Sequence, residues 1–203
     1  MANLKPVDST TQPRPAGGQR TPVVMMALIA VTTALVLLST FIFQVPIPAT
    51  QGYFNFGDIM IFITALTFGP EIGGFAGGVG SMLSDILGGF STFAPFTLII
   101  KGFEGYVAGL ISRRLFRGKD FASWITGSTV MVGGYFLAES FFISLIFGAS
   151  DVTGIAAALG EVPFNVLQVV AGGVVGIPVS LVLRQALRET PLSFSLPKTG
   201  PEK

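Results

Sequence analysis

The chain has 203 residues, of which 50% are hydrophobic and 11% charged, and its mean hydropathy is +0.72; soluble domains carry roughly 25% charged residues. This excludes an ordinary soluble fold, and at about 20 apolar residues per crossing the length holds roughly six helical spans with short connections. Cysteine and histidine are absent, which removes disulfides, thiolate nucleophiles, Cys/His metal sites and the usual neutral-pH proton shuttle, while a formal net charge of +1 says less than the placement of the charges.

Residues 1–20, rich in Pro, Gly, Thr and Gln, read as a disordered tail. The apolar run from 22 to about 43 is too long for a signal-peptide core and is the first span. Residues 44–57 suit an ordered loop, and a short second span follows from 58 to 68, as expected if it is tilted or shielded by protein. Gly69, Pro70 and Glu71 punctuate the chain before a glycine-laden third span, 72–87. A loop at 88–94 leads to Pro95, which suits the first turn of a fourth span ending near 115. A fifth span is expected over 124–147, a connection over 148–160, a sixth span over 163–187 and a polar tail over 189–203. The membrane domain therefore covers 21–188.

Charge placement sets the topology. With a cytoplasmic amino terminus, Lys5, Arg14 and Arg20 lie inside, as do Arg113, Arg114, Arg117 and Lys119, and then Arg184, Arg188, Lys198 and Lys203. Every lysine and arginine except Lys101 is then cytoplasmic, as the positive-inside rule requires. The expected fold is an all-α integral membrane protein of six transmembrane helices with both termini cytoplasmic.

Polar residues within the spans converge on one side. Asp58 opens the second span at its outer end. Ser81, Ser84 and Asp85 share a face near the outer end of the third. Lys101 and Glu104 sit roughly 10 Å down the fourth at about 1.5 Å per residue. Tyr135 and Glu139 share a face of the fifth, and Glu161, Asn165 and Gln168 recur at i, i+4 and i+7 on the sixth. Intramembrane charges cost about 2.5–3.5 kcal/mol on insertion scales, so they should face the bundle interior. One outward-facing pocket accounts for five spans at once. Plainer roles stand beside it: Lys101 and Glu104 can neutralise each other, Asp58 and Asp85 can cap helix ends, and Glu161 can be a surface residue. Tyr53, Phe54, Phe56, Phe90 and Phe93 can stack on a flat ring or belong to an interfacial belt.

Glycines four apart, such as Gly73 and Gly77 or Gly105 and Gly109, let helices approach closely. Ala27, Ala30 and Ala34 form a small-residue stripe on the first span, suited to internal packing or to docking of another membrane helix.

The segments GYFNFGD (52–58), GPEIGGFAGGVGSMLSDILGG (69–89), the APxTLIIKGxEGxxAG pattern (94–109) and EVPFNVLQ (161–168) together resemble the S components of energy-coupling-factor (ECF) transporters, closest to the riboflavin-type branch. The resemblance implies a six-helix subunit that captures a vitamin, working with a membrane coupling (T) subunit and two cytoplasmic ATPase subunits in a prokaryotic plasma membrane. It implies docking through a first-helix AxxxA spacing, matched by Ala30 and Ala34 with Ala27 on the same stripe. Ligand contacts carry over to Asn55, Asp58, Asp85, Lys101, Glu104, Glu139, Asn165 and Gln168. Ser84, Tyr135 and Thr92, on the same faces and the second outer loop, complete the candidate set.

No catalytic residue, metal site or cofactor is expected, and the chain has no GxxxxGK[ST] phosphate loop, so ATP hydrolysis falls to the partners. The acidic pocket region suits an amine-bearing or hydroxyl-rich ring; pyridoxine-like compounds, thiamine, its pyrimidine precursor and riboflavin stay open. The alternative is an ion-coupled secondary transporter, which should place a titratable group near the midplane, often on broken helices of two related halves. A channel and an intramembrane hydrolase built on a carboxylate pair rank below it.

Overall fold

A computed structural model describes residues 22–47, 52–115, 119–147, 151–188 and 190. The expected tails, 1–20 and 189–203, lie outside these residues apart from Thr190. The chain runs α1 (Pro22–Ile42), β1 (Val45–Ile47), β2 (Gly52–Phe54), α2 (Gly57–Phe68), α3 (Pro70–Gly88), α4 (Ala94–Leu110), a π-helical turn (Ile111–Leu115), α5 (Asp120–Phe147) and α6 (Asp151–Leu187). Among the described residues this is an all-α membrane bundle of six helices, with one short hairpin.

α2 explains how a short helix can belong to such a bundle. Twelve residues span about 18 Å, well under a hydrocarbon core of about 30 Å. Ten of the twelve are buried, because α1, α3, α4 and α6 all pack around it. Phe62, Ala65 and Leu66 form the main core with Ala108, Met131 and Val169. Outer faces are apolar instead, with Val23 75% and Val182 68% exposed, as lipid-facing surfaces require. By length and composition, α1, α4 with its extension to Arg113, and Gly154–Leu187 are each sufficient to cross a membrane.

Glycine lets α3 and α4 touch backbone to backbone. A Cβ on Gly77 would lie 2.7 Å from the Lys101 carbonyl oxygen, and one on Gly105 would lie 2.7 Å from the Gly73 carbonyl carbon. That contact presses α4 onto α3 at the level of Lys101. Gly69, at φ 92°, turns the chain from α2 into α3, and Gly89, at φ 87°, ends α3, a backbone conformation other residues rarely adopt.

Three boundaries differ from the sequence reading. The loop expected over 44–57 contains an antiparallel hairpin pairing Val45 with Phe54, Pro46 with Tyr53 and Ile47 with Gly52. α5 starts at Asp120, not near 124. The connection expected over 148–160 is helical from 151 onward, and α6 continues through Pro163 and Pro178. Pro163 marks no helix start there. The helix formers Ala156, Ala157, Ala158 and Leu159 carry the helix across it, and prolines are tolerated inside membrane helices.

Opposite the hairpin, Arg184 of α6 donates to Asp120 of α5, and Ser112 in the π turn donates to the other Asp120 oxygen at 3.3 Å. This buried bridge ties the ends of α4, α5 and α6 together.

Candidate functional site

The hairpin end of the bundle holds a polar cavity of about 40 Å³ that is partly open to solvent. Among the described residues, the one basic residue in its lining is Lys101. The Lys101 ammonium donates to Asp58 of α2 and lies 3.4 Å from Glu104 Oε2, one turn along α4. All three side chains are nearly or wholly buried. Lys101 borders the cavity, whereas Asp58 and Glu104 stand behind it. One cation between two carboxyls in a dry interior holds α2 and α4 in register, and removing it would leave uncompensated charge. The ammonium also lies 5.6 Å from the centre of the Tyr135 ring, within cation–π range. The Tyr135 hydroxyl donates to Thr97 at 3.0 Å.

The α3 wall presents Ser81 and Asp85. The hairpin closes over it, with the Tyr53 hydroxyl donating to Asp85 Oδ1 at 2.5 Å. The Tyr53 and Phe90 ring centres lie 4.5 Å apart. Burial, and then the neighbouring Asp85 charge, push the Tyr53 phenol above its ordinary pKa, so it stays a neutral donor at physiological pH. Behind it, Gln44 donates to Ser84 Oγ at 3.0 Å.

The α6 wall meets the lid through amides. The Asn55 backbone N–H donates to Gln168 Oε1 at 3.1 Å, and Gln168 Nε2 donates to Asn165 Oδ1 at 3.1 Å. Asn55 Oδ1 accepts the Gly57 N–H at 2.8 Å, forming the turn into α2. One turn before Asn165, the Glu161 carboxyl meets that of Glu139 from α5. A Cβ on Gly52 would run into the Glu161 carboxyl, so the lid backbone rests directly on it. Several buried polar atoms lack a hydrogen-bond partner, among them Asp85 Oδ2, Glu139 Oε2, Asn165 Nδ2 and Ser81 Oγ.

Of the candidates from sequence, Asn55, Asp85, Lys101, Tyr135, Glu139, Asn165 and Gln168 line the cavity. Asp58, Glu104 and Ser84 are buried just outside the lining. Thr92 is exposed in the turn before α4 and away from the cavity, because the wall there is made by Phe93 and Thr97. Lining residues absent from the candidate set include Thr40, Gly52, Tyr53, Ser81, Thr97, Met131 and Glu161. Tyr53, Ser81 and Glu161 carried signals as a loop aromatic and as members of polar stripes. Thr97 stands four residues before Lys101, a spacing that marks the same helix face. Thr40 and Met131, in spans away from any charged residue, carried none. Among the described residues, no group of three or more acidic side chains is placed to hold a metal ion. Ala27, Ala30 and Ala34 are exposed on α1.

Residues 21–185 match the family described as "ECF-type riboflavin transporter, S component". An uncharacterised protein in a gap 3′ region of Pyrococcus woesei is 39% identical over 153 residues, 75% of this chain and 96% of that protein. The "Thiamine precursor transporter HmpT" of Lactococcus lactis subsp. cremoris is 30% identical over 148 residues, 72% of this chain and 80% of that one. A solved structure reported under "Structure and mechanism of the S component of a bacterial ECF transporter" shares the fold with TM-score 0.59 and 21% identity, covering 81% of this chain and 97% of that chain.

Proposed function

The chain belongs to the S-component family of ECF-type transporters, and from that premise we propose that it is the substrate-capture subunit of an ATP-driven vitamin importer in a prokaryotic plasma membrane. The observation that carries this reading is the lidded cavity, in which polar atoms from α3, α5 and α6 are buried without partners. An unsatisfied buried polar group costs about 1–3 kcal/mol. A bound ligand that pairs with them recovers that cost. The cavity faces outward, the β1–β2 hairpin closes behind the ligand, and both termini are cytoplasmic.

Charge balance bears on the cargo. Lys101 is committed to Asp58 and Glu104, so the groups left to read a ligand are the Asp85, Glu139 and Glu161 carboxyls and the α6 amides. They suit a ring rich in hydrogen-bond donors. The name of the Lactococcus relative favours a thiamine precursor over riboflavin within that class.

Ala27, Ala30 and Ala34 form the docking stripe for the coupling subunit, since small side chains on a lipid-facing helix admit a second helix at close range. Two cytoplasmic ATPase subunits supply the energy. Uptake of labelled substrate by cells expressing the chain with and without its coupling and ATPase partners tests the assignment. Binding without the partners and accumulation only with active ATPases support it. Accumulation that survives ATPase inactivation but collapses with the ion gradient contradicts it in favour of a coupled carrier.

A further inference from the structure

The α6 wall has a hydrogen-bond polarity that the fold dictates. A backbone N–H can only donate, so the bond from Asn55 makes Gln168 present its carbonyl oxygen to the lid. The Gln168 NH₂ then faces Asn165, which answers with its own carbonyl oxygen. What Asn165 has left is its NH₂, buried, unpartnered and bordering the cavity. On α5, lining the same cavity, Glu139 offers Oε2, also buried and unpartnered; the proton shared between two touching carboxyls sits in the contact with Glu161, which leaves Oε2 to accept. Glu139 is held at this level by its contact with Glu161, one helical turn from Asn165 on the same face.

We infer, building on the capture function proposed above, that Asn165 and Glu139 form a donor–acceptor edge whose polarity the lid backbone sets through Gln168, and that this edge selects a heteroaromatic ring in which an acceptor nitrogen adjoins a donor amino group. The ring nitrogen accepts from Asn165 and the amino group donates to Glu139. A lactam edge, with N–H where the nitrogen was and C=O where the amine was, sets donor against donor and acceptor against acceptor. Sites that leave buried polar groups mispaired discriminate by as much as about 10⁴-fold. Gln168 is a positioning residue: without it the Asn165 amide is free to turn and offer its oxygen instead.

Titration of the emptied full-length protein in mild detergent with 4-amino-5-hydroxymethyl-2-methylpyrimidine, its 4-oxo analogue and riboflavin tests this. The amino compound should bind at least about 100-fold more tightly than the oxo analogue. In Gln168→Met, the amino compound should weaken about tenfold and the amino/oxo ratio should fall below about tenfold. Equal binding of the two pyrimidines, or tighter binding of the oxo form, overturns the edge. So does riboflavin binding alone, which leaves capture standing. A Gln168→Met ratio unchanged from the parent overturns the relay, since mere loss of packing weakens both ligands alike. Should Gln168→Met not yield folded protein, the parent ratio still decides. Binding of none of the three compounds counts against the capture function itself.

Discussion

Lys101→Met would leave the Asp58 and Glu104 carboxyls facing each other in a dry interior with no cation between them. Both carboxyls are fully buried, and each has Lys101 as its ion-pair partner. Removing one member of a buried ionic group costs about 3–5 kcal/mol. For a chain of this size, 1 kcal/mol moves the unfolding midpoint by about 2–4 °C, so the midpoint should fall by about 6–20 °C. Thermal unfolding in mild detergent can be followed through Trp124, the chain's one tryptophan, which packs against the core around Phe62 and Val169. The triple variant Asp58→Asn, Lys101→Met, Glu104→Gln carries no uncompensated charge and should recover most of the loss. A single variant within about 2 °C of the parent, or a triple variant no more stable than the single, would refute the reasoning.

Tyr53→Phe removes the donor that joins the hairpin to Asp85 and should weaken ligand binding about ten- to a hundredfold, from about 1.5–3 kcal/mol for a hydrogen bond to a charged acceptor. Faster dissociation in a stopped-flow chase should account for most of it, because the lost bond holds the lid. The raised Tyr53 pKa keeps this donor protonated, so its contribution should not fall as pH rises from about 7 to about 9, checked by comparing parent and Tyr53→Phe affinities across that range. Gly105→Ala puts a methyl 2.7 Å from the Gly73 carbonyl carbon and should cost about 1–3 kcal/mol by prising α3 from α4, read as a lower unfolding midpoint. Replacing Ala30 and Ala34 together by Leu should abolish uptake with partners present while leaving ligand affinity within about threefold; uptake that persists with binding intact removes the docking role.

The part of this architecture legible from sequence was the part where membrane energetics leave few choices. A charge inside a span must turn inward, so Asp85, Lys101, Glu139 and the Asn165–Gln168 stripe announced a shared interior before any geometry was known. Short α2 was legible as a shielded element for the same reason. What escaped depends on contacts distant in sequence. Asp120 and Arg184 are 64 residues apart, and nothing local marks them as partners. Asp58 read as a helix-end residue or a ligand contact, whereas its position depends on how glycine packing seats α4 against α3. Pro163 misled because the same residue opens helices and is carried within membrane helices. The hairpin was legible only as a loop, since strands of three residues are too short to display an alternating pattern.

The most direct test is to purify the protein in mild detergent, release whatever small molecule accompanies it, identify that molecule by mass spectrometry and titrate it back into the emptied protein. One amine-bearing ring vitamin or precursor should be recovered at near-stoichiometric level and bind more weakly after Glu139→Gln or Asn165→Ala. Recovery of no ligand, together with no binding across a vitamin panel, would contradict a capture function and leave the family relationship as a statement about fold.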